Sequence, residues 1–222
     1  MANTNTEVEI KVRDHFHDDA ERFDAIYESK KHPFARFVDN WWRGVVQKRL
    51  EVNVEKFQPL KGKKLLDVGC GSGRFCLAYA REGAAKVIGV DFAVAMIDIA
   101  NKLAEKEGLA DICEYRVGTF PDAIGESDGP FDGCSGNGFF DYIEHPVPII
   151  TRMRELTKGR LVMSFPKKYE WRIPLRKVRF LLKGTPLFLY TEPQVRDIMS
   201  KAGVTTYEFV YLDRDYVVVA DV

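Results

Sequence analysis

Apolar and polar residues follow two different periodicities along this chain, and the change between them divides it into two parts. Up to residue 60, apolar residues recur at helical spacing behind Pro33, a residue that suits the first turn of a helix. From Gly62 onward, short apolar runs alternate with amphipathic helical stretches. Strands joined by crossover helices produce this alternation. The pattern therefore predicts an N-terminal helical cap or lid over 1–60 and an α/β core over 61–222.

The apolar runs of the core predict a wound sheet with helices on both faces. Strands are expected over 64–69, 86–90, 112–117, 131–136, 159–165, 204–211 and 215–221. Helices are expected over 74–82, 94–107, 147–157 and 192–202. Asp213 and Arg214 separate the last two strands by a hairpin-like turn. The sheet should therefore be mostly parallel, with its last strand antiparallel.

Three glycines follow the first predicted strand of the core. Gly69, Gly71 and Gly73 form a turn without side chains, and a helix begins directly after it. Such a turn exposes unpaired backbone N–H groups and lets a ligand approach the main chain. The second strand ends at Asp91, whose carboxylate can accept hydrogen bonds from both hydroxyls of a ribose. The two features together predict a nucleoside cofactor.

The spacing of the glycines narrows the choice of cofactor. Dinucleotide-binding turns carry Gly-x-Gly-x-x-Gly, whereas this turn has Gly-x-Gly-x-Gly and is preceded by Asp67. A carboxylate there disfavours a pyrophosphate and suits a ligand that carries an ammonium group and a sulfonium. The segment Leu65-Leu-Asp-Val-Gly-Cys-Gly-Ser-Gly73, followed by Val87-Ile-Gly-Val-Asp91, resembles motifs I and II of class I S-adenosylmethionine (SAM)-dependent methyltransferases. An ordinary strand–turn–helix of another nucleotide-binding fold is the alternative.

The resemblance covers roughly residues 61–222. It implies a Rossmann-like, seven-stranded sheet with a reversed last strand, SAM as cofactor and S-adenosyl-L-homocysteine (SAH) as product. It places Asp67 near the cofactor's ammonium group and Asp91 at the ribose, with Phe92 and Met96 at the adenine; for Met96, plain core packing is an equal alternative. The cofactor-binding residues it implies are Tyr27, Asp67, Gly69, Cys70, Gly71, Gly73, Asp91, Phe92, Met96, Thr119, Phe120 and Asn137.

One position departs from the family pattern. After the third strand, many members of the family carry an acidic residue that faces the adenine amino group, but this chain has Gly118-Thr119-Phe120. Thr119 or the backbone would have to bind the adenine amino group instead.

Candidate acceptor-side residues follow the fourth strand, where ligands gather at the carboxyl edge of an open α/β sheet. They are Asn137, Phe139, Asp141 and Tyr142. His145, Asp141 and Tyr142 are the predicted catalytic residues. Histidine ordinarily titrates near neutral pH, so His145 could act as a general base, with a solvated histidine at a loop as the alternative. No Asp/Asn-Pro-Pro-Tyr tetrad is present, which argues against methylation of DNA adenine.

A basic amphipathic insertion over 166–190 interrupts the alternation of strands and helices. Seven basic residues stand against the single Glu170, and an apolar face runs from Trp171 to Leu182. Three interpretations are open: a solvated lid helix, a patch that steers an anionic acceptor, and a surface in peripheral contact with an anionic membrane. The basic residues are Lys167, Lys168, Arg172, Arg176, Lys177, Arg179 and Lys183.

Composition excludes several classes of protein. The 222 residues include 33 basic and 33 acidic side chains, so no net field attracts nucleic acid. No apolar run is as long as a membrane span and the first residues lack signal-peptide character, so a cytoplasmic location is expected. The four cysteines are scattered without Cys-x-x-Cys spacing, and His145 and Asp141 have no further ligand beside them, so no metal site is expected.

The sequence as a whole predicts an enzyme that methylates a small acceptor. An anionic or amphipathic metabolite is favoured, with oxygen as the first choice of acceptor atom and nitrogen as the second. The layout loosely resembles quinone and magnesium-protoporphyrin methyltransferases. A protein or RNA methyltransferase and a non-catalytic SAM-binding regulatory subunit are the alternatives. The sequence leaves the identity of the acceptor and the oligomeric state open.

Overall fold

A computed structural model of the protein describes residues 33–168 and 187–222. The helices are α1 (Pro33–Phe57), α2 (Arg74–Arg81), α3 (Val94–Lys106), α4 (Pro146–Glu155) and α5 (Glu192–Lys201). The strands are β1 (Lys64–Val68), β2 (Lys86–Asp91), β3 (Cys113–Val117), β4 (Phe131–Gly136), β5 (Thr157–Pro166), β6 (Tyr207–Tyr211) and β7 (Asp215–Asp221). Short 3-10 turns cover Glu126–Asp128 and Phe140–Tyr142.

The strands form one seven-stranded sheet in the order β3-β2-β1-β4-β5-β7-β6. The pairs from β3 to β5 are parallel, whereas β7 is antiparallel to both β5 and β6. The predicted fold, with its last strand reversed, is therefore confirmed. Within the described residues, no helix is long and apolar enough to cross a membrane.

The start of β6 differs from the prediction, which placed the strand over 204–211. Gly203 adopts a φ of +71°, and the backbone N–H of Val204 donates to the carbonyl of Met199. The N–H of Gly203 donates to Ser200 in the same way, which completes the Schellman end of α5. Val204 is thus an apolar residue that closes a helix, and the strand begins only at Tyr207.

The order of the strands positions the site. The chain winds outward from β1 through β2 to β3, then returns to β4 on the other side of β1. Ligands of open α/β sheets bind at such a reversal, outside the carboxyl ends of the strands. Here that edge collects the residues that follow Val68, Asp91 and Gly136.

The second half of α1 packs into the core beside α2. Phe57 is buried, and its ring meets the ring of Tyr79 edge-on at 5.4 Å between centroids. Arg49 makes a bidentate ion pair with buried Asp215 at the start of β7, with N–O distances of 2.8 and 2.7 Å. Contacts of this kind fix α1 to the sheet and to the β6–β7 hairpin. The division of the chain at residue 60 stays a prediction.

Candidate active site

The glycine turn after β1 has the conformation that its sequence requires. Gly69, Gly71 and Gly73 have φ values of +69°, +51° and +76°, in the left-handed region that favours glycine. A Cβ atom at Gly69 would lie 2.6 Å from Phe139 Cδ2, and one at Gly73 would lie 2.5 Å from Tyr115 Oη. A Cβ at Gly71 would meet nothing within 4 Å. The turn is thus packed at both ends and open at its middle, where a ligand can reach the backbone.

Asp91, at the end of β2, is bound to this turn. Its Oδ2 accepts a hydrogen bond of 2.9 Å from the backbone N–H of Gly71, and its Oδ1 accepts one of 2.9 Å from Ala93. Burial raises the pKa of Asp91, although the two backbone bonds oppose that effect. Each carboxylate oxygen retains a further lone pair, so the side chain can still accept from a pair of vicinal hydroxyls.

Asp67, on β1 below the turn, is almost fully buried. Its Oδ1 accepts a hydrogen bond of 2.6 Å from the Ser135 hydroxyl on β4. The pKa of Asp67 is raised to about 7, mainly by burial, against the lowering effect of hydrogen bonds from Ser135 and Cys76 and with a smaller contribution from the charge of Asp91. A cationic group nearby would favour the charged form of this carboxyl. This carboxyl group therefore suits a ligand with an ammonium group better than an anionic phosphate.

The expected adenine side lies between β2 and β3. The backbone N–H of Gly118 donates to the carbonyl of Asp91 at 2.9 Å, which draws the loop after β3 against the carboxylate. Thr119 Oγ donates to Asp122 at 3.3 Å, and Phe120 is buried in the core. Phe92 is half-buried, whereas Met96 is 1% exposed and packs among the buried residues of α3.

Two further residues on this side escaped the sequence analysis. Val94 and Val117 are 55% and 50% exposed, and they are two of the three large hydrophobic side chains that are exposed within the described residues. Val117 pairs with Asp91 in the sheet, and Val94 begins α3 three residues after it. Both therefore offer uncovered apolar surface close to the ribose-binding candidate, as a flat aromatic base requires. Alternating and helical patterns cannot distinguish such residues from core residues.

The loop after β4 lies against the glycine turn. Asn137 pairs with Asn53 of α1, and the half-buried ring of Phe139 covers Gly69. Gly138 has a φ of +70°, and its N–H donates to Ser164 Oγ at 2.9 Å, which fixes the bend between the two side chains. Of the acceptor-side candidates, Phe139 thus lies directly against the cofactor turn, whereas Asn137 is held by α1.

The predicted catalytic residues occupy different environments. Asp141 is buried, and its carbonyl accepts a hydrogen bond of 2.9 Å from Phe188. Tyr142 is half-buried beside it. His145 is exposed immediately before α4 and makes no side-chain cap hydrogen bond. Only Asp141 and Tyr142 therefore belong to the packed loop.

The remaining predictions concern Cys70, metal binding, Tyr27 and the basic insertion. Cys70 is buried at the turn, with its thiol directed to the carbonyl of Gly71 at 3.7 Å. Burial raises the pKa of this thiol. No cluster of metal-ligating side chains occurs in 33–168 or 187–222. Tyr27 and most of the basic insertion, residues 169–186, lie outside the described residues.

Asn53, Tyr79 and Ser135 are polar residues of the site that sequence analysis missed. They join α1, α2 and β4 by side-chain hydrogen bonds behind Asp67. A signal did exist for Asn53, because Arg49, Asn53 and Phe57 recur every fourth residue and so share one helix face with a buried phenylalanine. A polar residue on such a face needs a buried partner.

The glycine geometry gives a paired prediction. Gly69→Ala should lower the stability of the ligand-free protein by about 2–3 kcal/mol. An alanine at this position is strained by the positive φ, and its Cβ displaces the Phe139 ring. Gly71→Ala should cost only about 1 kcal/mol, because it carries the φ penalty alone, yet it should weaken cofactor binding more. Thermal unfolding and calorimetry measure the two effects. Equal stability losses, or wild-type cofactor affinity in Gly71→Ala, would contradict the assigned geometry.

Comparison with known proteins agrees with this geometry. Residues 59–186 match a family model described as a methyltransferase domain. The ubiquinone biosynthesis O-methyltransferase of Xylella fastidiosa is 30% identical over 148 residues, which are 62% of this chain and 58% of that protein. The Neisseria meningitidis serogroup C enzyme of the same name is 29% identical over 168 residues, 68% of this chain and 70% of that protein. The chain thus spans somewhat more than half the length of the first of these relatives.

Solved structures show the same fold. Magnesium protoporphyrin IX methyltransferase from Synechocystis PCC 6803, crystallised with bound SAH, superposes with a TM-score of 0.74. The match covers 96% of this chain and 99% of that one, at 22% identity. The same protein was also crystallised with bound SAM. At this level of identity, the likeness extends to the architecture of the sheet and its helices.

Proposed function

This chain belongs to the class I SAM-dependent methyltransferases, and we propose that it transfers the methyl group of SAM to an oxygen atom of a small acceptor molecule. The observation that carries the proposal is the Asp91 carboxylate, which is hydrogen-bonded to Gly71 at the junction of β1 and β2. That arrangement seats a ribose beside an open glycine turn, with buried Asp67 beneath it. The curated relatives named as O-methyltransferases support oxygen as the acceptor atom. Nitrogen is the second choice.

The residues of the site would act mainly by positioning. SAM supplies a methyl group that is already activated by its positively charged sulfur, so displacement needs alignment more than covalent help. Asp91 would hold the ribose, Asp67 would balance the ammonium group, and the glycine turn would receive the methionine chain. Phe139, which covers Gly69, would close the β4 side of the turn and exclude water from the methyl group.

We propose that the acceptor is amphipathic and carries an anionic group. The half-buried ring of Phe139 lies on the acceptor side, edge-on to Phe140 at 5.3 Å, and behind it the fully buried rings of Phe140 and Phe165 stack at 4.7 Å between centroids. The Nε and Nη2 atoms of Arg49 are bound to Asp215, and its remaining Nη1 faces this loop, since a Cβ at Gly138 would lie 2.9 Å from it. A planar acceptor with an acidic group suits a ring beside such an N–H donor.

Proton removal from the acceptor hydroxyl is proposed to involve His145, with Asp141 and Tyr142 orienting the acceptor. The exposure of His145 would let it return the proton to water. His145→Gln should then lower kcat by about 10- to 100-fold, whereas exposed Glu144→Gln serves as the control. A kcat within twofold of wild type would assign His145 to a solvated loop instead.

The experiment for the proposed function has two stages. Calorimetry first measures whether the protein binds SAM and SAH. SAH release is then followed with phenolic carboxylates and long-chain catechols as acceptors, with the corresponding amines as the nitrogen alternative. Acceptor-dependent SAH release from the phenols supports the proposal. Absence of SAM binding would refute it outright.

A further inference from the structure

Gly89, in the middle of β2, is a glycine for reasons of space. It is buried, and it is not among the glycines of the described residues that adopt a positive φ. A Cβ atom at this position would lie 2.8 Å from Sγ of Cys70 and 2.9 Å from Cδ1 of Tyr115. These two side chains therefore occupy the space that a side chain of residue 89 would fill, hereafter the gap over Gly89.

The Cys70 side chain brings the cofactor turn into this gap. The carbonyl of Val90 accepts hydrogen bonds from the backbone N–H groups of Gly69 and Cys70, at 2.8 and 3.0 Å. These bonds fix where the turn lies along β2, and the middle of the turn is bonded to the ribose-binding candidate beyond it. A Cβ at Gly89 would also lie 3.0 Å from Cβ of Cys70, an atom that cannot move unless the backbone of the turn moves. The gap over Gly89 therefore determines how closely the turn approaches the sheet.

Tyr115, on β3, bounds the gap and contacts the other end of the turn. It is the partner of Gly89 in the sheet, and Asp67 is the partner of Gly89 on β1. Partners on adjacent strands direct their side chains to the same face, so the gap lies between Tyr115 and Asp67. The Tyr115 hydroxyl lies 3.5 Å from the carbonyl oxygen of Gly73, and a Cβ at Gly73 would lie 2.7 Å from Cζ of the ring. One ring thus lies beside the gap and against the last glycine of the turn.

We propose that Gly89, Cys70 and Tyr115 are positioning residues for the cofactor turn. With no side chain at residue 89, the turn lies low enough for Gly71 to reach the Asp91 carboxylate, and Tyr115 supports its last residue. A methyl group in the gap would push the turn away from the sheet and separate its backbone from the ribose-binding carboxylate. The affinity for SAM should therefore depend on a glycine that belongs to the sheet beneath the turn. The inference rests on the proposed function, because SAM is the ligand that the turn receives.

The first test fills the gap. Gly89→Ala should lower the affinity for SAM, measured by calorimetry, at least about tenfold, because overpacking at a rigid contact moves the neighbouring backbone. Gly133→Ala is the matched control, since it adds the same methyl group to β4, where its Cβ would lie 2.5 Å from Cε1 of Phe57 instead. Both variants should lose thermal stability, but the SAM affinity of Gly133→Ala should stay within about threefold of wild type.

The second test needs no cofactor. Iodoacetamide alkylates an accessible cysteine thiolate, and peptide mass spectrometry then reports the labelled fraction at each cysteine. Cys70 is buried over Gly89, so Gly89→Ala should raise the labelling rate of Cys70 at least about tenfold in the absence of SAM. Cys134, buried on β4, is an internal control that should be labelled as slowly as in wild type. Equal gains at both cysteines would indicate general unfolding and would refute a displacement of the turn.

Two variants of Tyr115 change the support of the turn without filling the gap. Tyr115→Leu removes the ring and should weaken SAM binding about fivefold, whereas Tyr115→Phe keeps the ring and loses only a long hydrogen bond, so its affinity should stay within about twofold of wild type. If Gly89→Ala does not fold, this comparison decides.

A double variant tests the contact between the gap and the turn directly. Cys70→Ala removes the sulfur atom that a methyl group at Gly89 would meet. The combination of Gly89→Ala with Cys70→Ala should therefore bind SAM at least about threefold more tightly than Gly89→Ala alone. Losses that add in the double variant would show that the two positions act independently and would refute the proposal.

The outcomes separate this inference from the function on which it rests. If the wild type does not bind SAM, the proposed function fails, and the labelling of Cys70 still tests the position of the turn. If the wild type binds SAM, wild-type affinity in Gly89→Ala or unchanged labelling of Cys70 refutes the positioning role. Equal affinities of Tyr115→Leu and Tyr115→Phe refute the part assigned to Tyr115. In each of these cases the proposed function stands.

Discussion

Asp91→Ala is expected to lower the affinity for SAM by at least about a hundredfold. The substitution removes the acceptor for both ribose hydroxyls, and charge-assisted hydrogen bonds of this kind contribute about 1.5–3 kcal/mol each. It also takes away the partner of the Gly71 and Ala93 N–H groups, so the glycine turn loses its hold on β2. The loss should therefore exceed that of a residue that only touches the ligand.

Two companion variants make the experiment specific. Asp91→Asn retains the shape but replaces one acceptor oxygen by a donor, which would face the N–H of Gly71 or Ala93; it should lose nearly as much affinity. Asp98→Ala removes an exposed carboxylate from α3 and should leave binding unchanged. Calorimetric affinities of Asp91→Ala within threefold of wild type would show that Asp91 does not hold the ribose.

Asp67→Asn should have the second largest effect, and its sign depends on pH. In the free protein the pKa of Asp67 is about 7, and a nearby ammonium group favours the charged form. Wild-type affinity for SAM should therefore rise between about pH 5 and pH 8, by up to about tenfold per pH unit below pH 7. Asp67→Asn cannot ionise, so it should bind about thirtyfold more weakly at pH 8 and show little of this pH dependence.

The same substitution should stabilise the ligand-free protein. The pKa of Asp67 rises on folding from an ordinary value of 3.8 to about 7, so the folded state binds more protons between these limits. The free energy of unfolding of the wild type consequently falls as pH rises through this range, by up to about 4 kcal/mol. Asp67→Asn removes this pH-dependent loss of stability, so the variant should have a higher melting temperature than wild type at pH 8.

Melting curves and calorimetry at pH 5.5 and 8 decide the matter together. If Asp67→Asn melts at a higher temperature than wild type and binds SAM more weakly, then Asp67 contributes to SAM binding and lowers the stability of the ligand-free protein. A variant that melts lower at pH 8 and keeps the wild-type pH dependence of binding would contradict the role of Asp67. Asp98→Asn, on the exposed side of α3, is the matched control.

The cofactor half of the site could be predicted because its residues are local in sequence. Gly69, Gly71 and Gly73 are needed for their φ values, and Asp91 follows a buried strand, so the pattern alone places the turn and the carboxylate together. The parallel arrangement of the first five strands follows from the alternation of strands and helices. Val204 was misassigned because an apolar residue that ends a helix has the same composition as one that begins a strand.

The hydrogen-bonded polar residues behind the turn could not be predicted in the same way. Asn53 and Asn137 are 84 residues apart, and Tyr79 lies in a helix whose other face is apolar. Hydrogen bonds between distant residues depend on how α1 packs, which neither periodicity nor spacing encodes. The acceptor side presents the same difficulty, because Phe139 and Arg49 come from two separate segments.

The most direct test of the central claim is a crystal structure of the protein with SAH. Both ribose hydroxyls should lie within about 3 Å of the Asp91 carboxylate, with the homocysteine chain against Gly69–Gly73 and its ammonium group toward Asp67. Binding of SAH at any other edge of the sheet, with Asp91 still bonded only to Gly71 and Ala93, would contradict the account.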